Sequence, residues 1–217
     1  MADNSDRSQG SSRGEYSAED EGTADVNELA EQFGRLARDL QAEDDADAVL
    51  EQIVSAAVEI IPGADEGSIS VVAGRRDVTS QHPSSDLPRR VDAIQTEVGE
   101  GPCLDAVYEE ETVRVPDMAS ERRWRRFASR AAEAGAASML SFQLYVEGDN
   151  LGALNLYSRE ANAFSDEPEQ VGLLFASHAA VAFADAQKLD HLRRTVATRD
   201  LIGQAKGIVM ERYRLDA

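Results

Sequence analysis

Cys103 is the residue most open to a chemical reading. It follows Gly99-Glu100-Gly101-Pro102 at the start of a predicted helix, where aligned peptide dipoles favour a thiolate. Two roles fit that position: a redox or ligating thiol, or a small apolar residue buried at a helix start. As the one cysteine in the chain it excludes an intramolecular disulfide and a cysteine-based zinc site. The three histidines, His82, His178 and His191, lack metal-ligand spacing. Thirteen residues separate His178 from His191, which does not bring two rings together on one helix. Arg122-Arg123-Trp124-Arg125-Arg126-Phe127-Ala128-Ser129-Arg130 interleaves five arginines with aromatics, a composition suited to RNA. Trp124, Phe127 and Ala131 nevertheless share one helical face, which reads as an amphipathic helix with a solvated basic rim. Gly99 to Pro102 lacks the lysine and hydroxyl of a phosphate-binding loop, and no acid–base or nucleophile–base set emerges. The expectation is a protein that is not an enzyme, with no catalytic residue, no metal ligand and no nucleotide motif.

The elements that must position these residues sit in a chain of 217 residues, 42 % apolar, with net charge −19. That length carries one domain with extensions or two small ones. The charge repels polyanions, so nucleic-acid binding requires a local patch that overrides the field. No apolar run approaches a membrane span and the N-terminus, Met1 to Gly10, is polar, so a cytoplasmic protein is expected. Residues 1–25 hold seven acidic and two basic side chains with few large apolar ones, and are expected to lack structure.

Val26, Leu29, Phe33, Leu36 and Leu40 then form an apolar seam over two heptads. It is either a helix lying on its own domain or a dimer contact. A second helix carries Leu50, Ile53, Val54, Ala57, Ile60 and Ile61 and stops at Pro62-Gly63. From Gly67 the apolar period changes to two, predicting strands over 68–74 and 78–81. A helix over 87–98, a short strand at 112–117, a helix over 122–135 and a hairpin over 139–158 follow, the hairpin turning at Gly148-Asp149-Asn150. The last helix opens at Ser165 or Asp166. Val171, Leu174, His178, Ala182, Ala186, Leu189, Leu192 and Val196 recur at spacings of three or four, without a strict heptad. A new phase begins at Leu201. The order of elements implies an α+β protein, a mostly antiparallel sheet flanked by helices, with a long C-terminal helix that outlasts the domain core.

The segment from Gly99 to Ser158 resembles the second half of a GAF domain. The matching residues are Gly101-Pro102-Cys103, Val115-Pro116-Asp117, Trp124 with Phe127, Gly152 to Ser158, and Ala163-Phe164-Ser165. The likeness extends over roughly 40–188 and implies a module that binds a small molecule, chromophore or haem, or that transmits between helices. The asparagine–lysine motif of cyclic-nucleotide GAF domains is not matched, since Arg159 to Phe164 lacks the lysine, and one cysteine does not supply the disulfide cycle of GAF-type methionine sulfoxide reductases. The C-terminal residues are similar to the first helix of an ANTAR domain, through Arg199, Ile202 and Ala205-Lys206-Gly207-Ile208-Val209-Met210. That resemblance implies an RNA-binding, antiterminating output module, of which the chain supplies the first helix.

The resulting expectation is an acidic tail at 1–25, a GAF-like sensory domain at 26–189 and an incomplete all-α ANTAR domain at 190–217. Its function would be a signal-responsive transcription antitermination regulator, with RNA stem-loops as partners and an unknown small molecule at the sensor. The alternative is a GAF-like binding or dimerisation module with no RNA role. Residues 198–217 carry four basic and three acidic side chains, and the resemblance makes Lys206 and Arg212 the phosphate-facing candidates. A ligand site is expected near Cys103, and a homodimer seam at Leu29, Phe33, Leu36, Leu189 and Leu192.

Overall fold

The computed structural model describes the backbone of residues 15–43, 45–73, 77–108, 110–146 and 149–213, and their side chains except those of 15–28, 72, 73, 77, 108, 149, 150, 194 and 196–213. The elements run α1 (Glu15–Ala42), α2 (Ala46–Ile60), β1 (Glu66–Ala73), β2 (Asp77–Gln81), α3 (Asp86–Val98), α4 (Pro102–Tyr108), β3 (Thr112–Val115), α5 (Arg125–Ala134), β4 (Ser138–Val146), β5 (Asp149–Ser158) and α6 (Asp166–Tyr213). The five strands form one sheet in the order β2-β1-β5-β4-β3, every pair antiparallel. This is the expected α+β arrangement.

Strand alternation gives the sheet two chemically different faces. Ile69, Leu140, Phe142, Leu144, Leu154 and Leu156 point to one side and join Val49, Ile53 and Ala57 of α2 with Phe175, Ala179 and Phe183 of α6 in a single apolar core. Val78, Val113, Val115, Met139 and Tyr157 point to the other and meet Val91, Cys103, Val107, Trp124 and Phe127 from α3, α4 and α5. Trp124, Phe127 and Ala131 are all buried while the arginines between them face solvent, as an amphipathic α5 requires.

The two terminal helices depart from the sequence reading. Helix α1 begins at Glu15, so the backbone of residues 15–25 is helical where composition implied no structure; residues 1–14 lie outside the described chain. Glutamate and aspartate near the start of that segment suit the positive end of the helix dipole, and a long helix propagates once nucleated. Helix α6 runs unbroken through the point where the apolar rhythm changes phase. Its buried face is Phe175, Ala176, Ala179, Ala180, Phe183, Ala184 and Ala186; of the expected line Ala186 is buried and Val171 and Ala182 pack beside it, while its larger residues beyond them turn outward. Leu174, Val181, Leu189 and Leu192 remain exposed. Alanine carries the contact because small side chains let α6 approach the sheet closely: a Cβ at Gly172 would lie 2.2 Å from the Phe142 ring. Past Ala186 no described side chain of α6 is buried, so the helix outruns the core.

Candidate functional site

The middle of the sheet on the α3–α4 side is polar. Cross-strand register aligns Ser80, Ser70, Ala153 and Gln143 in one row, and Ser68, Asn155, Ser141 and Val113 in the next. Ser68, Ser70, Ser141 and Asn155 have no solvent exposure, so this is a buried layer and not a wet sheet face. Helix α3 lowers Asp92 and Gln95 onto it, both on the same helical face as Val91 and Ile94.

Asp92 is the centre of the network and is 1 % exposed. Its Oδ2 accepts from the Ser70 hydroxyl (2.9 Å), which in turn accepts from Asn155 Nδ2 (2.7 Å). Asn155 Oδ1 accepts from the Ser141 hydroxyl at 2.8 Å. Asp92 Oδ1 accepts from Gln95 Nε2 at 3.1 Å and, at a long 3.5 Å, from the Tyr157 hydroxyl. The Ser80 hydroxyl lies beside Asp92 and the Ser68 hydroxyl beside Tyr157, yet neither forms a hydrogen bond of ordinary geometry. Burial pushes the Asp92 carboxyl from the ordinary 3.8 up to about 6, and its hydroxyl and amide partners offset only part of that rise.

The Gly99-Glu100-Gly101-Pro102-Cys103 segment closes this layer from the side. Gly101, at φ +151°, passes so close to Gln95 that a Cβ there would meet the side chain at 2.4 Å. The close passage lets Gln95 Oε1 accept the Cys103 backbone N–H at 3.0 Å. Glu100 reaches the other way and accepts the backbone N–H groups of Arg126 (2.8 Å) and Phe127 (3.2 Å) at the start of α5. Trp124 Nε1 donates to Asp105 of α4 at 3.0 Å. The landmark residues of the segment therefore serve to lock α3, α4 and α5 over the sheet.

Cys103 itself is fully buried, and its thiol is pushed well above the usual range by burial and then by the negative charge of Asp92. A protonated, enclosed thiol is a poor nucleophile. An open cleft of about 760 Å³ lies between α2 and the 80–84 segment, lined in part by Asp47, Glu51, Ser80, His82 and Arg89. His82 Nε2 there sits 3.5 Å from Asp47, and His178 Nδ1 is 2.9 Å from the Leu174 carbonyl on α6. Among the described residues no three histidine, cysteine or acidic side chains converge as metal ligands.

The structure separates the other sequence-derived candidates. Phe33 packs edge-on to Phe175 (ring centroids 6.0 Å apart) and to His178, and both Phe33 and Leu36 rest half-buried on the α2–α6 core. These two therefore make intramolecular contacts, while Leu29 is half-buried and Leu189 and Leu192 are exposed. Lys206 and Arg212 belong by backbone to α6, and their side chains lie outside the described residues. The sequence reading named none of Asp92, Ser70 and Asn155 as a site residue; Asn155 entered only within the Gly152–Ser158 strand. The available signal was Ser68, Ser70, Ser80, Ser141 and Asn155, spread over four strands where a solvated face would more often carry charge.

This sheet, with helices α2 and α6 on one face and a buried polar layer under α3 and α4 on the other, defines a small α+β module. The chain belongs to the GAF domain family, whose model matches residues 43–184; the ANTAR domain model matches residues 190–217. Among solved structures it is similar to a free methionine-R-sulfoxide reductase from Neisseria meningitidis, solved in complex with its substrate, at 16 % identity and a TM-score of 0.56 over 74 % of this chain and 90 % of that one. The GAF domain of a phosphoenolpyruvate-protein phosphotransferase from Coxiella burnetii matches at 18 % identity and 0.55, over 74 % and 95 %. The chromophore-binding domain of a bacteriophytochrome from R. palustris matches at 14 % and 0.54, over 75 % and 63 %. At these identities the likeness establishes the fold alone. No curated protein matches the chain significantly. No described helix is long and apolar enough to cross a membrane.

Proposed function

We propose that this chain is a cytoplasmic transcription antitermination regulator in which the GAF domain takes a small-molecule signal and an ANTAR module reads RNA stem-loops. The observation that carries the reading is α6, one helix that starts against the sheet and continues into the segment matched by the ANTAR model. Ligand is received at the Asp92 layer, beside Cys103. Strands β4 and β5 present Ser141 and Asn155 to that layer and Phe142 and Leu154 to the α2–α6 core, so a shift on one face is felt on the other. Lys206 and Arg212 face phosphate. A second copy of the chain packs along the exposed line of Leu189 and Leu192, with Leu29 at its edge. Phe33 and Leu36 contribute only by holding α1 against α6. In this reading residues 26–189 act as the sensor and 190–217 begin the output.

The test is RNA binding by the full-length protein, measured by fluorescence anisotropy with a tandem stem-loop and a scrambled control across a salt series. Binding that prefers the tandem stem-loop and weakens steeply with salt is expected. Failure to bind in every ligand condition would leave the module as a GAF-type binding or dimerisation domain.

A further inference from the structure

We infer that the Asp92 layer recognises a small organic cation, an ammonium or guanidinium group whose N–H donors are accepted by Asp92 and by the hydroxyl oxygens of Ser68 and Ser80. The inference rests on the sensory reading above and supplies the class of ligand.

Three observations converge on it. The first is charge. Ser70, Gln95 and Tyr157 hydrogen-bond Asp92, and all three are neutral; no lysine, arginine or histidine contact to it is found among the described residues. A buried carboxylate that merely stabilises a fold is ordinarily paired with a cation. This chain has 22 lysines and arginines, yet its described ion pairs lie elsewhere, at Arg89, Arg114, Arg123, Arg130, Arg159 and Lys188.

The second is unspent acceptor capacity. Ser68 and Ser80 bury hydroxyls without partners on the same sheet face, flanking Asp92 and Tyr157. Native interiors seldom leave such groups unpaired unless something else occupies the site. Ammonium and guanidinium groups are donors only, so they match a set made of carboxylate and hydroxyl oxygens. An anion such as a phosphate or carboxylate would bring a second negative charge into a dry layer that already holds one.

The third is access. Ser80 lies on the edge strand β2; its hydroxyl is enclosed on the Asp92 side, and the open cleft between α2 and the 80–84 segment reaches the same residue from the α2 side. Reaching the layer therefore requires displacement at the edge strand β2, which has a single hydrogen-bonded neighbour in the sheet. The cleft's own charges are mixed, Asp47 and Glu51 against His82 and Arg89, so selection for a cation falls to Asp92.

The test uses the full chain near neutral pH, with methylammonium chloride and methylguanidinium chloride as probes against sodium chloride and sodium acetate at matched ionic strength. Backbone amide shifts are followed by NMR. Saturable shifts centred on Ser68, Ser70, Ser80 and Asn155 with the cations, and none with acetate, are expected. Asp92→Asn should weaken the cation at least about tenfold, a loss of roughly 1.4 kcal/mol. Glu97→Gln, which removes an exposed carboxylate of the same helix outside the layer, should bind within about threefold of the parent. If Asp92→Asn does not fold, Ser68→Ala and Ser80→Ala carry the test, each expected to weaken cation binding. Equal binding by Asp92→Asn, an identical response to acetate, or no saturable shift overturns the inference. RNA binding without a cation response refutes only the ligand class; a cation response without RNA binding refutes only the regulatory reading.

Discussion

Replacing Asp92 by asparagine separates the cost of one buried charge from everything else in the molecule. Moving the carboxyl from 3.8 to about 6 makes its charged form about 3 kcal/mol less favourable in the fold than in the unfolded chain. The sign follows from proton counting. Between those two values the folded state holds the proton more tightly, so unfolding releases it and stability falls as pH rises. The contribution is fully present below the ordinary value of 3.8 and is lost once pH passes about 6. Because the chain's pI is near 4.5, measurements should begin above it, where net charge keeps the protein in solution. From about pH 5 to 7.5 the same two values leave roughly 1.4 kcal/mol still to be lost. Urea unfolding followed by Trp124 fluorescence gives the free energy at each pH, since the chain has this one tryptophan and it is buried against α4. The quantity of interest is the difference between Asp92→Asn and the parent, in which the other 40 of 41 acidic residues cancel. That difference should move in favour of the variant by about 1.4 kcal/mol across the window, whatever its offset. A flat difference would show that Asp92 is not a strained buried carboxylate, and the argument for an unpaired charge would go with it.

The remaining predictions probe the other face of the sheet and the two ends of α6. Gly172→Ala places a methyl against the Phe142 ring and should cost about 1–3 kcal/mol in urea unfolding, through displacement of α6 from β4. An unchanged midpoint would mean the helix is not seated on that ring. Phe175→Ala removes a fully buried ring from the α2–α6 core and should cost about 3–5 kcal/mol by the same assay. Leu189→Glu with Leu192→Glu should shift the full-length protein toward monomer in sedimentation equilibrium while leaving its circular dichroism intact; an unaltered mass would remove these leucines from any dimer contact. Lys206→Gln with Arg212→Gln should weaken RNA binding and flatten its salt dependence by about two counterions; an unchanged slope would free both residues from phosphate.

Period and punctuation were sufficient to read most of the fold. Pro62-Gly63 ends α2, the helix read over 87–98 is α3, and the alternation in β4 and β5 set their pairing. The face of α6 was misjudged because apolar periodicity weights large side chains, whereas the packed face is built from alanines with Phe175 and Phe183. Alanine is nearly silent in a hydrophobic pattern, yet it permits the closest helix–sheet approach. The site was missed for a related reason. Ser68 and Ser70 alternate with Ile69 and Val71, which in a sequence reads as a sheet with one wet face. Only the placement of α3 above them turns that face into an interior, and no local pattern reveals which helix covers which strand. Cys103 lies beside this polar layer, in which the neighbouring Gln95 and Asp92 hold the polar contacts.

The two faces of β4 and β5 bound what a signal could do. Ser141 and Phe142 are adjacent on β4, Leu154 and Asn155 on β5, so each strand links the Asp92 layer to the α6 core within one residue. Close packing makes such a link bistable more readily than gradual, because displacement of Phe142 must either unseat Gly172 or leave it. A ligand at Asp92 moves that balance only by its difference in affinity for the two seatings. If the charge penalty of about 3 kcal/mol at Asp92 were relieved by a cation in one seating alone, the ratio of seatings would change by roughly a hundredfold. That carries an equilibrium from about 1:10 to about 10:1, and it requires no direct contact between the ligand and α6.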